Sequence, residues 1–357
     1  MLQVMEKNGW AAPVTIFATH LNAPCSSILL AQSQIPSKVY LIIGKVNGET
    51  VFFPLDRSEC VSKFESEHCE PITALASGDL QNNSTKEVVT VSSNGLLQSL
   101  RFPKSENMSD AEPPIPSRVF FQQLNSNIIC CEIMDVDNDG QNEFFVVMTD
   151  KTLRSYRFST ENRCLIAQNK WEMPSQISGC SISTGSSGNY FAYLSQACKS
   201  DFIRLDFGPL KNVSIMHSKG VDRKHSTLLF IPPNPKTIRL MQSLISKIIV
   251  VDGEGSEIEL HNKAGDFVCV AHTQLPSGIS IVMSICPFGN LFVYAFTSDD
   301  VLSEPVARCQ VLRDVDHCAS FPGPSSYSLF LSLVNIYNKV AIYLIDFSHI
   351  IQIRQIM

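Results

Sequence analysis

The sequence predicts an all-β chain, a β-propeller with seven blades forming one domain over residues 1–357. Three observations lead there: a hairpin unit recurs from end to end, amphipathic helical periodicity is nearly absent, and 357 residues exceed an ordinary single domain unless the chain is a repeat architecture or a large closed β-structure.

In chain order, the expected first unit (30–70) carries "KVYLIIGKVNGETVFFPL" and the second (71–118) carries "KEVVTVSSNGLLQSLRF". The third (119–170) carries "NEFFVVMTDKTLRSYRF", the fourth (171–215) "NYFAYLSQACKSDFIRLDF" and the fifth (216–272) "SKIIVVDGEGSEIEL". Weaker instances complete the series, "GNLFVYAFTSDDVLSEPV" for 273–312 and "YSLFLSLVNIYNKVAIYLIDF" for 313–350. Each is an apolar run, a turn and an alternating strand. Leu97, Leu100 and Phe102 correspond to Leu153, Tyr156 and Phe158, then to Phe202, Leu205 and Phe207, at offsets of 56 (158 − 102) and 49 (207 − 158). These are expected to be the last strands of their units.

A lone four-stranded blade cannot bury both faces, whereas blades packed radially cover one another and ring closure leaves only short edges. The continuous apolar runs "EFFVVM" and "KIIVV" fit strands covered on both sides. A β-sandwich pair would account for the strands but not for the period. The polar, proline-rich stretch "KSENMSDAEPPIPSR", residues 104–118, reads as a mobile inter-blade loop.

Composition narrows the function. Net charge is −6 and only 17% of residues are charged, so no basic surface is available for a phosphate backbone, and nucleic acid is not an expected partner. Apolar residues make 44%, ample for a large core. The N-terminus lacks the pattern of a signal peptide, which points to an intracellular chain, and no transmembrane segment is expected. Leu329 to Ile353 is the richest apolar region, but Asn335, Asn338, Lys339 and Asp346 interrupt it and it reads as strands. Twelve cysteines are scattered without CxxC spacing, as buried free thiols are. The sequons at Asn82, Asn83, Asn107 and Asn212 would matter only in a secreted chain.

One motif carries chemistry. In "DVDNDGQNEFFVV", Asp135, Asp137, Asp139 and Glu143 occupy positions 1, 3, 5 and 9 of a loop, with Gly140 at the bend. Alternate carboxylates in a tight turn can converge on one hard cation, with the Gln141 carbonyl as a further oxygen. An EF-hand would need its bidentate glutamate at position 12, which is Val146. The same residues read equally as a turn satisfied by its own backbone amides. Calcium is thus a possible structural ion, and no cofactor is required. Asp79, Gln81, Asn83 and Glu87 form a worn copy 56 positions earlier (135 − 79).

This pattern resembles the FG-GAP repeat of integrin α-subunit propellers, where a D-x-D/N-x-D-G-x-x-D/E loop joins the first two strands of a blade. The resemblance is closer to an intracellular family, integrin-alpha FG-GAP repeat-containing protein 2, a component of the KICSTOR complex. It is carried by "ITALASGDLQNNSTKEVVTVSSNGLLQSLRF", "NIICCEIMDVDNDGQNEFFVVMTDKTLRSYRF" and "NKWEMPSQISGCSIS". The first unit departs from it, with "ILLAQSQIPSKVYLIIG" in place of an aspartate loop. The resemblance implies a non-enzymatic scaffold, peripheral to the lysosomal membrane, which pairs with a kaptin-like propeller and other KICSTOR subunits. Such an assembly recruits GATOR and restrains TOR signalling when amino acids or glucose run short.

Other signals have plain structural explanations. "GEGSE" at Gly253 lacks the third glycine of a dinucleotide loop and reads as a hairpin turn. His68 has no partner at metal-ligand spacing. Lys219, Arg223, Lys224 and His225 read as a solvated inter-blade loop, and His317 with Cys318 lacks a nucleophile signature. Neither G-x-S-x-G nor H-E-x-x-H occurs, which disfavours the alternative of a propeller hydrolase. The other alternative, an integrin-like adhesion module, would require secretion.

Overall fold

The computed structural model describes residues 13–35, 38–56, 62–66, 69–102, 116–184, 190–196, 202–207, 213–216, 227–234, 237–243, 248–251, 257–260, 267–296 and 305–348. Within them every element is a strand, and the strands form four-stranded antiparallel sheets. After an N-terminal strand, β1 (Val14–His20), the chain lays down blades of four consecutive strands. The first is β2–β5 (Cys25–Gln32, Val39–Lys45, Glu49–Pro54, Ser62–Glu65) and the second β6–β9 (Ile72–Gly78, Glu87–Ser92, Leu96–Arg101, Arg118–Gln123). The third is β10–β13 (Ile128–Met134, Glu143–Met148, Thr152–Ser159, Cys164–Glu172) and the fourth β14–β17 (Ile177–Thr184, Tyr190–Gln196, Phe202–Asp206, Val213–Met216). The fifth is β18–β21 (Thr227–Asn234, Thr237–Ser243, Ile248–Val251, Glu257–Leu260) and the sixth β22–β25 (Cys269–Gln274, Ser280–Ile285, Asn290–Phe296, Ala307–Gln310).

The remaining strands, β26–β28 (Val315–Pro322, Ser328–Asn335, Lys339–Asp346), are completed by β1, which runs antiparallel to β28 from Val14 opposite Leu344 to His20 opposite Lys339. The first strands β2, β6, β10, β14, β18, β22 and β26 pack against one another as a closed inner ring. Hydroxyls stitch that ring: Ser26 Oγ and Ser27 Oγ each donate to the Ile72 carbonyl at 2.8 Å, and Ser320 Oγ donates to the His272 carbonyl at 2.9 Å.

The expectation of seven successive blades is corrected. Six blades are contiguous in the chain, and the ring is closed by a composite sheet built from both ends. β1 is mostly exposed or half-buried and its partner lies at the far end of the chain, so no local hairpin marks it. Unit boundaries shift for a related reason. The strands carrying Leu100, Tyr156 and Leu205 are the third strands β8, β12 and β16, and an outer fourth strand follows each. β9 alternates exposed and half-buried residues and β13 is largely exposed, so neither carries an apolar run. Arg118–Gln123 therefore closes the second blade, and Trp171, expected to open the fourth unit, belongs to the third.

The core lies between blades. β7 and β11 are buried along their whole length. Between the third and fourth blades, Phe145 meets Trp171 and Phe207 at centroid distances of 6.0 and 5.0 Å. Met134, Val147, Ile177 and Leu194 surround them. The ten cysteines among the described residues are all free, and no helix among those residues is long and apolar enough to cross a membrane. Most of the expected loop 104–118 lies outside the described residues, as do His68, Gly253 and the basic cluster from Lys219 to His225.

Candidate functional site

Antiparallel strands reverse direction at each turn, so loops joining first to second strands and loops joining second to third strands emerge on opposite faces of the ring. The first face carries the acidic motif. The second carries an apolar rim.

The 135–142 loop joins β10 to β11, and the 79–86 loop joins β6 to β7 at the same place one blade earlier. They share one backbone template. Asn82 and Asn138 have φ of 54° and 59°, while Ser84 and Gly140 have φ of 63° and 87°, the left-handed region that Gly140 enters without a Cβ penalty. The hydrogen bonds repeat as well. Asp135 Oδ1 and Oδ2 accept the amides of Asp139 and Gly140 at 3.1 and 2.7 Å; Asp79 accepts those of Asn83 and Ser84 at 3.0 and 2.7 Å. The Gln141 amide donates to Asp139 and the Thr85 amide to Asn83, both at 2.9 Å.

Three of the expected residues converge: Asp135, Asp137 and Glu143 offer oxygens within 4.8 Å of one another. Asp139 turns instead to the Gln141 amide and is not among the three. Sequence reasoning missed Arg157. Its guanidinium reaches into the loop from the end of β12, with Nε 2.6 Å from Glu143 Oε1 and Nη2 also bonded to that oxygen. Nη2 lies 3.2 and 3.3 Å from the Asp137 oxygens, and Nη1 lies 2.8 Å from Asp139 Oδ2. The available signal was the repeat itself, because Arg101 stands 56 positions before Arg157 (157 − 101) and pairs across the strands with Glu87.

Electrostatics follow from burial. Glu143 is almost fully enclosed, and burial pushes its carboxyl above the usual range although Arg157 and the Val136 amide oppose the shift. Asp139 is held low, first by the Gln141 amide and then by Arg157. Burial works against the charge on Arg157, but Glu143 and Asp139 outweigh it and hold the guanidinium more firmly protonated. Both shifts are upward, which disfavours the charge on Glu143 and favours it on Arg157, because Glu143 is the deeper partner of the pair.

In the second blade the loop holds fewer charges. Gln81 Nε2 donates to Glu87 Oε1 at 2.7 Å and Ser99 donates to the other oxygen. Neighbouring loops are joined: Asn82 Nδ2 donates to the Asn142 carbonyl at 3.1 Å, the Asn142 amide returns to Asn82 Oδ1 at 2.6 Å, and Gln34 bonds Ser84 and Lys86. A glycan on Asn82 would break that junction.

The opposite face presents Val46, Phe288, Ile336 and Tyr337 at the hairpin tips β3–β4, β23–β24 and β27–β28, with Phe288 72% and Tyr337 66% exposed. These tips belong to the sixth blade, the composite sheet and the first blade, which are neighbours across the ring closure. Backbone bonds join them, from the Asp314 amide to the Pro287 carbonyl at 2.8 Å and the Ile336 amide to the Asp314 carbonyl at 3.1 Å, and through the β1–β2 link from the Leu21 amide to the Asn338 carbonyl at 2.8 Å and the Val46 amide to the Pro24 carbonyl at 3.0 Å. His317 pairs only with Asp316, at 3.3 Å, among the described contacts.

Known structures share the architecture. A structure of BBS1N in complex with ARL6DN, soaked with lead, aligns with a TM-score of 0.66 at 8% identity, covering 95% of this chain and 98% of the other. The mercury-soaked form gives 0.64 at 7%, covering 95% and 99%. The β-propeller domain of Cps50 (Swd1) from Myceliophteria thermophila aligns at 0.57 and 10% identity, covering 91% and 99%. At these identities the likeness shows the propeller fold alone. No curated protein matches the sequence. The sequence profile of integrin-alpha FG-GAP repeat-containing protein 2 matches residues 56–244, more than half of the chain and inclusive of both acidic loops. The chain belongs to the integrin-alpha FG-GAP repeat-containing protein 2 family.

Proposed function

We propose that this chain is a non-enzymatic interaction subunit that binds another protein through its apolar rim and serves in a KICSTOR-like complex. One observation carries the interaction reading. Val46, Phe288, Ile336 and Tyr337 stand exposed at hairpin tips of three neighbouring sheets on a single face, and large apolar side chains gathered on one face suit a contact surface. Aromatic residues of this kind anchor protein interfaces. Family membership supports the finer reading, in which the partner is a kaptin-like propeller and the assembly recruits GATOR to the lysosome to restrain TOR signalling.

The test pairs capture with stability. The double variant Phe288→Ser/Tyr337→Ser should lose a purified kaptin-like partner in pull-down while keeping the wild-type Tm, because both side chains are largely exposed. Loss of binding of about 2 kcal/mol or more, roughly thirtyfold in Kd, is the scale of interface anchors. Unchanged capture by the double variant would refute the rim as the contact surface. Cells lacking the protein should keep TOR signalling high during amino-acid starvation; a normal fall in TOR signalling would refute the complex assignment.

A further inference from the structure

We infer that the Arg157 guanidinium is the resident cation of the Asp135 loop, so that this acidic turn is held together without a metal ion. Calcium takes six to eight oxygen ligands, and a loop of this size must offer most of them from its carboxylates. Here those oxygens already have partners. Arg157 spans Asp137, Asp139 and Glu143 with three nitrogens, and both Asp135 oxygens accept backbone amides. A fork-shaped planar cation suits such a site, because it pairs with several carboxylates at once from a fixed geometry.

The second blade supplies independent support. Its loop keeps the same φ pattern and the same amide bonds with Gln81 in place of Asp137 and Asn83 in place of Asp139. There the Gln81 amide and the Ser99 hydroxyl satisfy Glu87. The backbone template therefore stands with two carboxylates, neutral hydrogen-bond donors and Arg101 across the strands from Glu87. Where the third blade restores the acids, a strand-borne guanidinium answers them; the charge on each loop is matched from within its own hairpin. Removing Arg157 would leave Asp135, Asp137 and Glu143 with oxygens within 4.8 Å and no counter-charge, a repulsion that a divalent ion relieves.

The full chain is melted in chelator and in millimolar calcium. Wild type should give the same Tm in both, within about 1 °C. Arg157→Gln should melt lower in chelator and recover by about 3–4 °C in calcium, the shift expected for a chain of this length with ligand at about one hundred times Kd. Arg157→Lys keeps a point charge without the fork, and it should melt below wild type with no response to calcium. Calorimetric titration of calcium into wild type should show no binding. A one-to-one calcium isotherm with wild type would overturn the inference, even if Arg157→Gln fails to fold. So would an Arg157→Gln variant that folds but ignores calcium, or one that melts like wild type in chelator.

Discussion

Lys45 is the most buried cation among the described residues, and its replacement by methionine tests how the ring is closed. Its side chain is 2% exposed, and the ammonium donates to Glu49 Oε2 at 2.7 Å and to Asn22 Oδ1 at 2.5 Å. Asn22 lies in the link between β1 and β2, so one ammonium ties the β3–β4 tip to the segment that carries the closing strand. Removing one member of a buried pair costs about 3–5 kcal/mol because the other charge is stranded. The lower end applies: Glu49 sits at a hairpin tip and keeps Lys63, half-exposed, at 3.7 Å. With an unfolding entropy of roughly 2.1 cal/mol/K per residue, about 3 kcal/mol lowers the Tm of a 357-residue chain by about 4 °C.

The pH dependence separates this account from a plain packing defect. In wild type, burial would raise the Glu49 carboxyl, but Lys45 outweighs burial and holds it below its usual value. That contribution is fully present above the unfolded carboxylate value and is lost as pH falls through the folded one, below about pH 4. In Lys45→Met the sign reverses: burial raises Glu49, so the penalty is complete at neutral pH and relieved by protonation. Thermal melts should therefore show a gap between the two proteins that narrows as pH drops from 7 to 4. Lys45→Met/Glu49→Gln should regain most of the loss, since a pair removed whole costs little. A single variant within about 1 °C of wild type, or a gap that does not change with pH, would refute the reasoning.

Two further outcomes are expected. Phe145→Ala should cost about 3–5 kcal/mol, roughly 4–7 °C in Tm, because it empties the contact with Trp171 and Phe207 that joins two blades; calorimetry on Phe207→Leu should show a smaller loss at the same junction. Glu132 on β10 keeps solvent contact yet sits within the inner ring, where the surrounding protein pushes its carboxyl up to about 7. Because its folded pKa is raised, the penalty grows as pH rises and is complete above about 7, so Glu132→Gln should stabilise the protein at pH 8 and leave it unchanged at pH 4 in paired melts.

Local pattern made much of this molecule legible. The all-β class, the hairpin period and the two loops at Asp79 and Asp135 were readable because a propeller repeats one short-range unit, whose second strand is apolar throughout and whose turns need particular residues. Leu97 and Leu153 matched as equivalents because both are wholly buried on the third strands of their blades. The outer strands β9 and β13 stayed hidden, since edge strands are half-solvated and carry no apolar run. The composite closing sheet was decided by tertiary structure, because Val14 and Leu344 meet only once the ring has formed. Four carboxylates in a turn left open a cation site or a turn held by its own amides; only folding brought Arg157 among them, because strand pairing, not sequence distance, sets which charge a loop meets. The apolar rim was likewise invisible beforehand, as Val46, Phe288 and Tyr337 come from separate hairpins and reach one face of neighbouring sheets only when the ring closes.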